Sequence, residues 1–81
     1  MEKVKVGAIY RHFKGQFYII KGFANHTETN ERLVLYKNLD STDHNVWARP
    51  IEIFTDNIDR EDYKGPRFLF QTMSLMSKDY K

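Results

Sequence analysis

The chain has no cysteine. That absence excludes a disulfide scaffold, a cysteine-ligated zinc site and a thiol nucleophile together. Its four glycines and two prolines are scattered, so no glycine-rich cradle for phosphate is present. Long apolar runs are missing as well. The opening residues Met1-Glu2-Lys3-Val4-Lys5-Val6 are too polar for a signal peptide, and nothing downstream approaches the length of a membrane span. A cytoplasmic protein with no membrane partner is therefore expected. A large charge of either sign is lacking too: the net charge is +2, too small to imply nucleic acid by itself. Its distribution is uneven. Residues 1–22 carry Lys3, Lys5, Arg11, Lys14 and Lys21 against Glu2 alone, whereas residues 46–65 lean acidic. Surfaces that mix the two signs in this way are ordinary solvated faces.

What the chain does have is aromatic side chains. Six Phe, five Tyr and one Trp make up 15% of its 81 residues. A domain this short buries only about 60% of its unfolded surface, so large rings compensate for a small core. Aromatic and β-branched residues also suit strands. One small β domain over residues 1–70 is expected, with residues 71–81 as a C-terminal tail that is at least partly mobile.

Alternation and turn residues place the elements. Residues 7–12 read as a first strand, and Gly15 turns the chain in Phe13-Lys14-Gly15-Gln16. Residues 17–21 form a second strand that Gly22 interrupts with a bulge or bend before it continues through Phe23 and Ala24. Six polar residues, His26 to Glu31, turn the chain into a third strand at residues 32–37. A loop over 38–45 leads to a short fourth strand at 46–49, which Pro50 stops. Residues 50–54 then suit one helical turn with Pro50 at its first position, so that Ile51 and Phe54 cap the core. Residues 56–64 read as polar loop, Gly65-Pro66 as a turn and 67–70 as a fifth strand. Met73, Leu75 and Met76 could form one further helical turn.

This pattern predicts a mainly β fold, a small five-stranded SH3-like curved sheet or barrel with one short helical turn after the fourth strand. An OB-like barrel is the second choice and lacks the helix expected between its third and fourth strands. Closure is how so short a sheet protects its edges. Tyr18, Ile20, Leu33, Leu35, Trp47, Phe54 and Phe68 are the expected core.

Several clusters occur in a characteristic order: Tyr10-Arg11-His12-Phe13-Lys14-Gly15, Tyr18, His26-Thr27-Glu28-Thr29 with Glu31, Val34-Leu35-Tyr36, Trp47-Ala48-Arg49-Pro50 and Arg67-Phe68. Together they resemble the bacterial domain-of-unknown-function family 1653, whose pattern runs near Y-x-H-F-K-G, H-S-E-T-x-E, V-Y, W-V-R-P and R-F. The resemblance covers residues 7–68. Thr27 stands in place of the usual Ser and keeps a hydroxyl, and Leu39-Asp40-Ser41 departs from the usual Leu-Tyr-Gly. The resemblance implies a small β fold and brings no established activity, so it assigns no functional residue.

Read from the residues, the functional chemistry is polar and sparse. His12, His26 and Glu28 are the set that could hold a metal, although such a site needs three or four ligands in tight geometry. The plainer role for His26 is to anchor its own loop, with Thr27, Thr29 and Asn30 bonding nearby backbone groups. His44 is expected to be exposed. A hydroxyl, a base and a carboxylate coexist in His26-Thr27-Glu28-Thr29, but neighbours in one loop do not supply the oxyanion-stabilising nest that nucleophilic catalysis needs. A non-catalytic binding module for a protein, peptide or small acidic ligand is expected, without metal or cofactor. Binding of RNA or single-stranded DNA is the alternative, because Tyr10-Arg11-His12-Phe13-Lys14 and Tyr36-Lys37 interleave rings with cations. The candidate ligand-binding residues are His12, His26, Glu28, Tyr36, Arg49 and Arg67. In the expected arrangement Arg49 and Arg67 flank the carboxylate of Glu28, with His26 and Tyr36 ordering it by hydrogen bonds. That network either locks the hairpin loop to the last strand or leaves guanidinium surface for an acidic partner.

Overall fold

The first turn closes where Gly15 permits it. Gly15 adopts φ +114°, its N–H donates to the His12 carbonyl at 2.7 Å, and the His12 N–H donates to the Gln16 carbonyl at 2.7 Å. This turn joins β1 (Ala8–His12) to β2 (Phe17–Asn25). A second turn leads to β3 (Arg32–Asn38), then β4 (Trp47–Pro50) and the single-turn helix α1 (Ile51–Phe54). A small hairpin of β5 (Asn57–Asp59) and β6 (Lys64–Pro66) precedes β7 (Phe68–Met73). The structure is a computed structural model and describes residues 4–74.

Five antiparallel strands form one sheet in the order β4-β3-β2-β1-β7. The mainly β expectation holds, and so does the short helix after the fourth main strand. The sheet is not closed: among the described residues β4 and β7 are its two edges. Two bulges increase its twist. One lies in β2 between Ile20 and Gly22, beside the glycine that the sequence marks, and the other between Ile9 and Tyr10 of the β1–β7 pair. The curl brings the edges together through side chains rather than backbone bonds, with Arg49 of β4 above the ring of Phe68 of β7.

Register decides which side chains enter the core. Directly paired residues share a face, and the pairs Tyr10↔Tyr18, Ile20↔Tyr36, Phe23↔Val34 and His12↔Phe68 put all eight on the concave face. Phe54 of α1 plugs that face, 1% exposed and stacked on Phe68 at 4.1 Å between ring centroids. Tyr10, Tyr18 and Phe23 pack against this core, as does Ile51. Val4 joins it from ahead of β1, a contribution the sequence pattern does not indicate.

Several expectations need correction. Leu33 and Leu35 are not central: they lie on the other face of β3, half-buried, while Val34 and Tyr36 occupy the core. Trp47 is 53% exposed. It shares the core face with Tyr36, but β4 is an edge and no described strand lies beyond it to cover the ring. Pro50 is the residue before the helix rather than its first member. The stretch read as loop at 56–64 contains β5 and the start of β6, and the Arg60 N–H bonds the Tyr63 carbonyl at 2.9 Å to turn the hairpin there instead of at Gly65-Pro66. The last strand runs three residues past Phe70, to Met73, because its bulge lets Thr72 and Met73 pair with Ile9 and Ala8. The rest of the expected tail, including Leu75 and Met76, lies outside the described residues.

Candidate functional site

Four of the six candidate residues meet where the two sheet edges approach. Tyr36 and Arg49 come from neighbouring strands, and the Arg49 Nε–H donates to the Tyr36 hydroxyl at 3.1 Å. The Arg49 guanidinium carbon lies 5.6 Å from the centroid of the Phe68 ring, within range of a cation–π attraction. His12 meets the same ring edge-on at 4.9 Å. Tyr18 adds a third wall, edge-on to Tyr36 at 5.2 Å and to Phe68 at 5.8 Å. Arg67 directly precedes Phe68 and enters the cluster from the start of β7.

Arg67 has its own carboxylate, and it is not Glu28. Its Nε and Nη2 donate to the two oxygens of Asp56 at 2.8 and 3.3 Å. The backbone repeats the link, with the Arg67 N–H on the Asp56 carbonyl at 3.0 Å. The β5–β6 register explains this: Asn57 pairs with Pro66, so one further step sets Asp56 opposite Arg67. The fork geometry holds the Asp56 carboxyl below its usual range and lifts Arg67, each chiefly through that hydrogen bond. The lock expected between the hairpin loop and the last strand therefore exists between other places, the residue just before β5 and the residue just before β7.

His26 and Glu28 stand apart. They follow β2, whereas His12 lies beyond its start, and nine residues at about 3.3 Å each span roughly 30 Å. His26 Nδ1 accepts the N–H groups of Glu28 and Thr29 at 3.1 and 3.3 Å, the loop-anchoring role read from the sequence. Thr29 completes the turn by donating to Glu31 Oε1 and accepting the Glu31 N–H. Asn30 takes φ 63°, a conformation asparagine tolerates better than most residues. Glu28 is exposed and makes no ion pair with either arginine among the described residues. The metal set of His12, His26 and Glu28 is thereby dispersed, and no group of three or more such ligands occurs among the described residues. His44 is exposed as expected.

The electrostatics of the cluster are one-sided. Burial, followed by the charges of Arg49, Arg67 and Lys14, pushes the His12 imidazole below its ordinary value. Its Nδ1 accepts the Lys14 N–H at 3.1 Å, which leaves the ring proton of the neutral form on Nε2. Asp56 offsets one arginine. Arg49 is half-buried, gives one hydrogen bond to a neutral hydroxyl, and makes no ion pair among the described residues, although its charge reaches Asp56 at longer range. A partly desolvated cation in that condition attracts an anion more strongly than an exposed one does.

The sequence profile of the family described as "Protein of unknown function (DUF1653)" matches residues 8–70. The chain belongs to that family. The match spans β1 to β7 and includes every residue of the cluster. The crystal structure of a DUF1653 protein from Bordetella bronchiseptica is similar, at 30% identity and a TM-score of 0.75 over 90% of this chain and 94% of that one. A search of curated proteins returns no match. No helix among the described residues is long and apolar enough to cross a membrane.

Sequence reasoning missed Asp56, Tyr18 and Phe68 as site neighbours in this DUF1653 protein. Tyr18 and Phe68 serve as core and site wall together. Asp56 had one available signal, the alternation in Asn57-Ile58-Asp59, which marks a strand that could carry its neighbour towards Arg67.

Proposed function

We propose that this DUF1653 protein is a non-catalytic binding module in which Arg49 receives an acidic group presented by a partner protein or peptide. The observation that carries the reading is the contrast between two neighbouring arginines. Arg67 is satisfied by a two-point contact with Asp56, whereas Arg49 feels the Asp56 charge only at longer range and offers its remaining N–H groups beside an aromatic wall, with no ion pair of its own among the described residues. A carboxylate there gains charge-assisted hydrogen bonds in a partly dry setting. His12 supports the same partner, because a bound anion offsets the positive field that disfavours its protonation.

Single-stranded nucleic acid, the other reading of the sequence, has less support. Phe13 is stacked on Tyr63 at 5.3 Å and approached by Lys14 and Arg60, so its ring is already occupied. The test is a nitrogen-detected titration of the arginine side chains with blocked acidic peptides, using wild type and Arg49→Gln. The Arg49 Nε signal is expected to shift on addition and the binding to disappear in the variant, while stability changes by about 1 kcal/mol or less. Binding of single-stranded RNA that weakens steeply with salt, with no response to acidic peptides, overturns the proposal in favour of phosphate contacts.

A further inference from the structure

The acidic group has a defined route to Arg49, because Arg49 sits on a sheet edge beside the exposed Trp47. β4 is the outermost strand next to β3, and among the described residues nothing pairs with its other side. Val46, Trp47 and Ala48 are all exposed, and no loop among the described residues covers that edge. Natural sheets blunt such edges with lysine, bulges or cover. Here the strand is only four residues, Trp47-Ala48-Arg49-Pro50, and its protection is that shortness, the terminal proline and the one charge of Arg49, which an acidic group would neutralise. Register places Trp47 opposite Tyr36 and Arg49 opposite Val34. Both side chains therefore belong to the concave face of the sheet, two residues apart, as alternate members of one strand.

Resting on the proposed acidic partner, we infer that β4 accepts an extended peptide segment as a sixth strand, and that the segment carries an aromatic or large apolar residue and an acidic residue with one residue between them. A strand laid along an edge places its alternate side chains on one face, each beside the directly opposed residue with about 5 Å between Cβ atoms. The apolar side chain then covers Trp47 and the carboxylate reaches Arg49. Backbone bonds to β4 supply affinity, and the two side-chain contacts supply choice. Charge disfavours a basic segment, since Arg49 and Lys14 are positive in the same region and the Asp56 carboxylate is already paired with Arg67. Pro50 and the start of α1 at Ile51 end the strand, so the segment is short. The opposite edge, β7, exposes Leu69, Phe70 and Met73 and shares a cavity with Lys5, but the arginine that precedes it, Arg67, is already held by Asp56.

The probe is a threonine pentapeptide blocked at both ends, with glutamate second and phenylalanine fourth, the order that sets them opposite Arg49 and Trp47 when the strand adds antiparallel like every other pair of the sheet. The chain contains a single Trp, so its emission reports directly on Trp47. The peptide is expected to change that emission and to shift the amide signals of Trp47, Ala48 and Arg49. Replacing its glutamate by glutamine, or placing phenylalanine and glutamate next to each other, should weaken binding about tenfold or more. Methylating one backbone nitrogen should abolish binding while methylating the next is tolerated, because only alternate amides of an added strand bond the edge. If the spaced and adjacent peptides bind equally, both lose binding in Arg49→Gln and Trp47 emission stays constant, strand addition is wrong while the acidic site stands. If no peptide shifts the Arg49 side-chain signal, the acidic site itself fails, and the strand-addition inference fails with it.

Discussion

Replacing Phe54 by alanine removes the one ring that α1 presents to the concave face. Phe54 is 1% exposed, lies face to face with Phe68 at 4.1 Å and 8°, and meets Tyr10 and Tyr36 at 5.2 and 5.5 Å. Truncating a buried phenylalanine costs about 3–5 kcal/mol, cavity included. Three ring contacts place this site at the upper end, since aromatic pairs contribute about 0.5–1.5 kcal/mol beyond their buried area. An 81-residue chain at about 0.05–0.15 kcal/mol per residue has only about 4–12 kcal/mol in total. The melting temperature should therefore fall by roughly 15–35 °C, at about 4–8 °C per kcal/mol. Urea unfolding followed by far-ultraviolet circular dichroism measures the loss. Phe54→Leu, which keeps most of the volume, should cost about 1–2 kcal/mol. A Phe54→Ala loss below about 1 kcal/mol would mean that α1 does not close the core, and the packing argument would be refuted.

The remaining predictions concern the margin of that core. Trp47→Ala should change stability by only about 0.5 kcal/mol, as at other exposed positions, and a loss comparable to that of Phe54→Ala would return Trp47 to the centre of the fold. Asp56→Asn should cost about 1–2 kcal/mol in urea unfolding at neutral pH, after allowance for the partial exposure of both partners. Because the carboxyl of Asp56 is depressed in the fold, its contribution is complete above the ordinary value of about 3.9 and fades as pH falls through the folded value. The gap between wild type and Asp56→Asn should thus close in acid, and a gap equal at neutral and acidic pH would contradict the ion pair. The proton signals of His12 should titrate below the ordinary value of about 6.5 and move upward in Arg49→Gln. The neutral ring's contribution to stability is complete above that value and is lost as pH falls through the folded one. A His12 titration at or above the ordinary value contradicts the clustering of Arg49 and Arg67 about the ring.

The sequence by itself determined the local elements, because they depend on neighbours a few residues apart. Gly15 permits the positive φ of the first turn, Gly22 marks the β2 bulge, and His26 with Thr29 ties its own loop. The ordered motifs from Tyr10 to Phe68 also indicated the family. The tertiary structure decided whatever depends on pairing across the sheet. A one-residue change of parity on β3 sends Leu33 and Leu35 outward and Val34 and Tyr36 inward, and two hydrophobic residues on either side leave local alternation unable to choose. Trp47 looked like a core residue by type, yet strand order left it at an edge. The candidate site divided for the same reason. Tyr36, Arg49, His12 and Arg67 come from separate elements that the curled sheet brings to Phe68, whereas Glu28 stays on its own loop. Arg67 takes Asp56 because the hairpin of two three-residue strands sets the two opposite one another. Long-range register, which no short stretch of chain encodes alone, gave Arg67 its carboxylate and left Arg49 with a hydroxyl and a ring but no ion pair among the described residues.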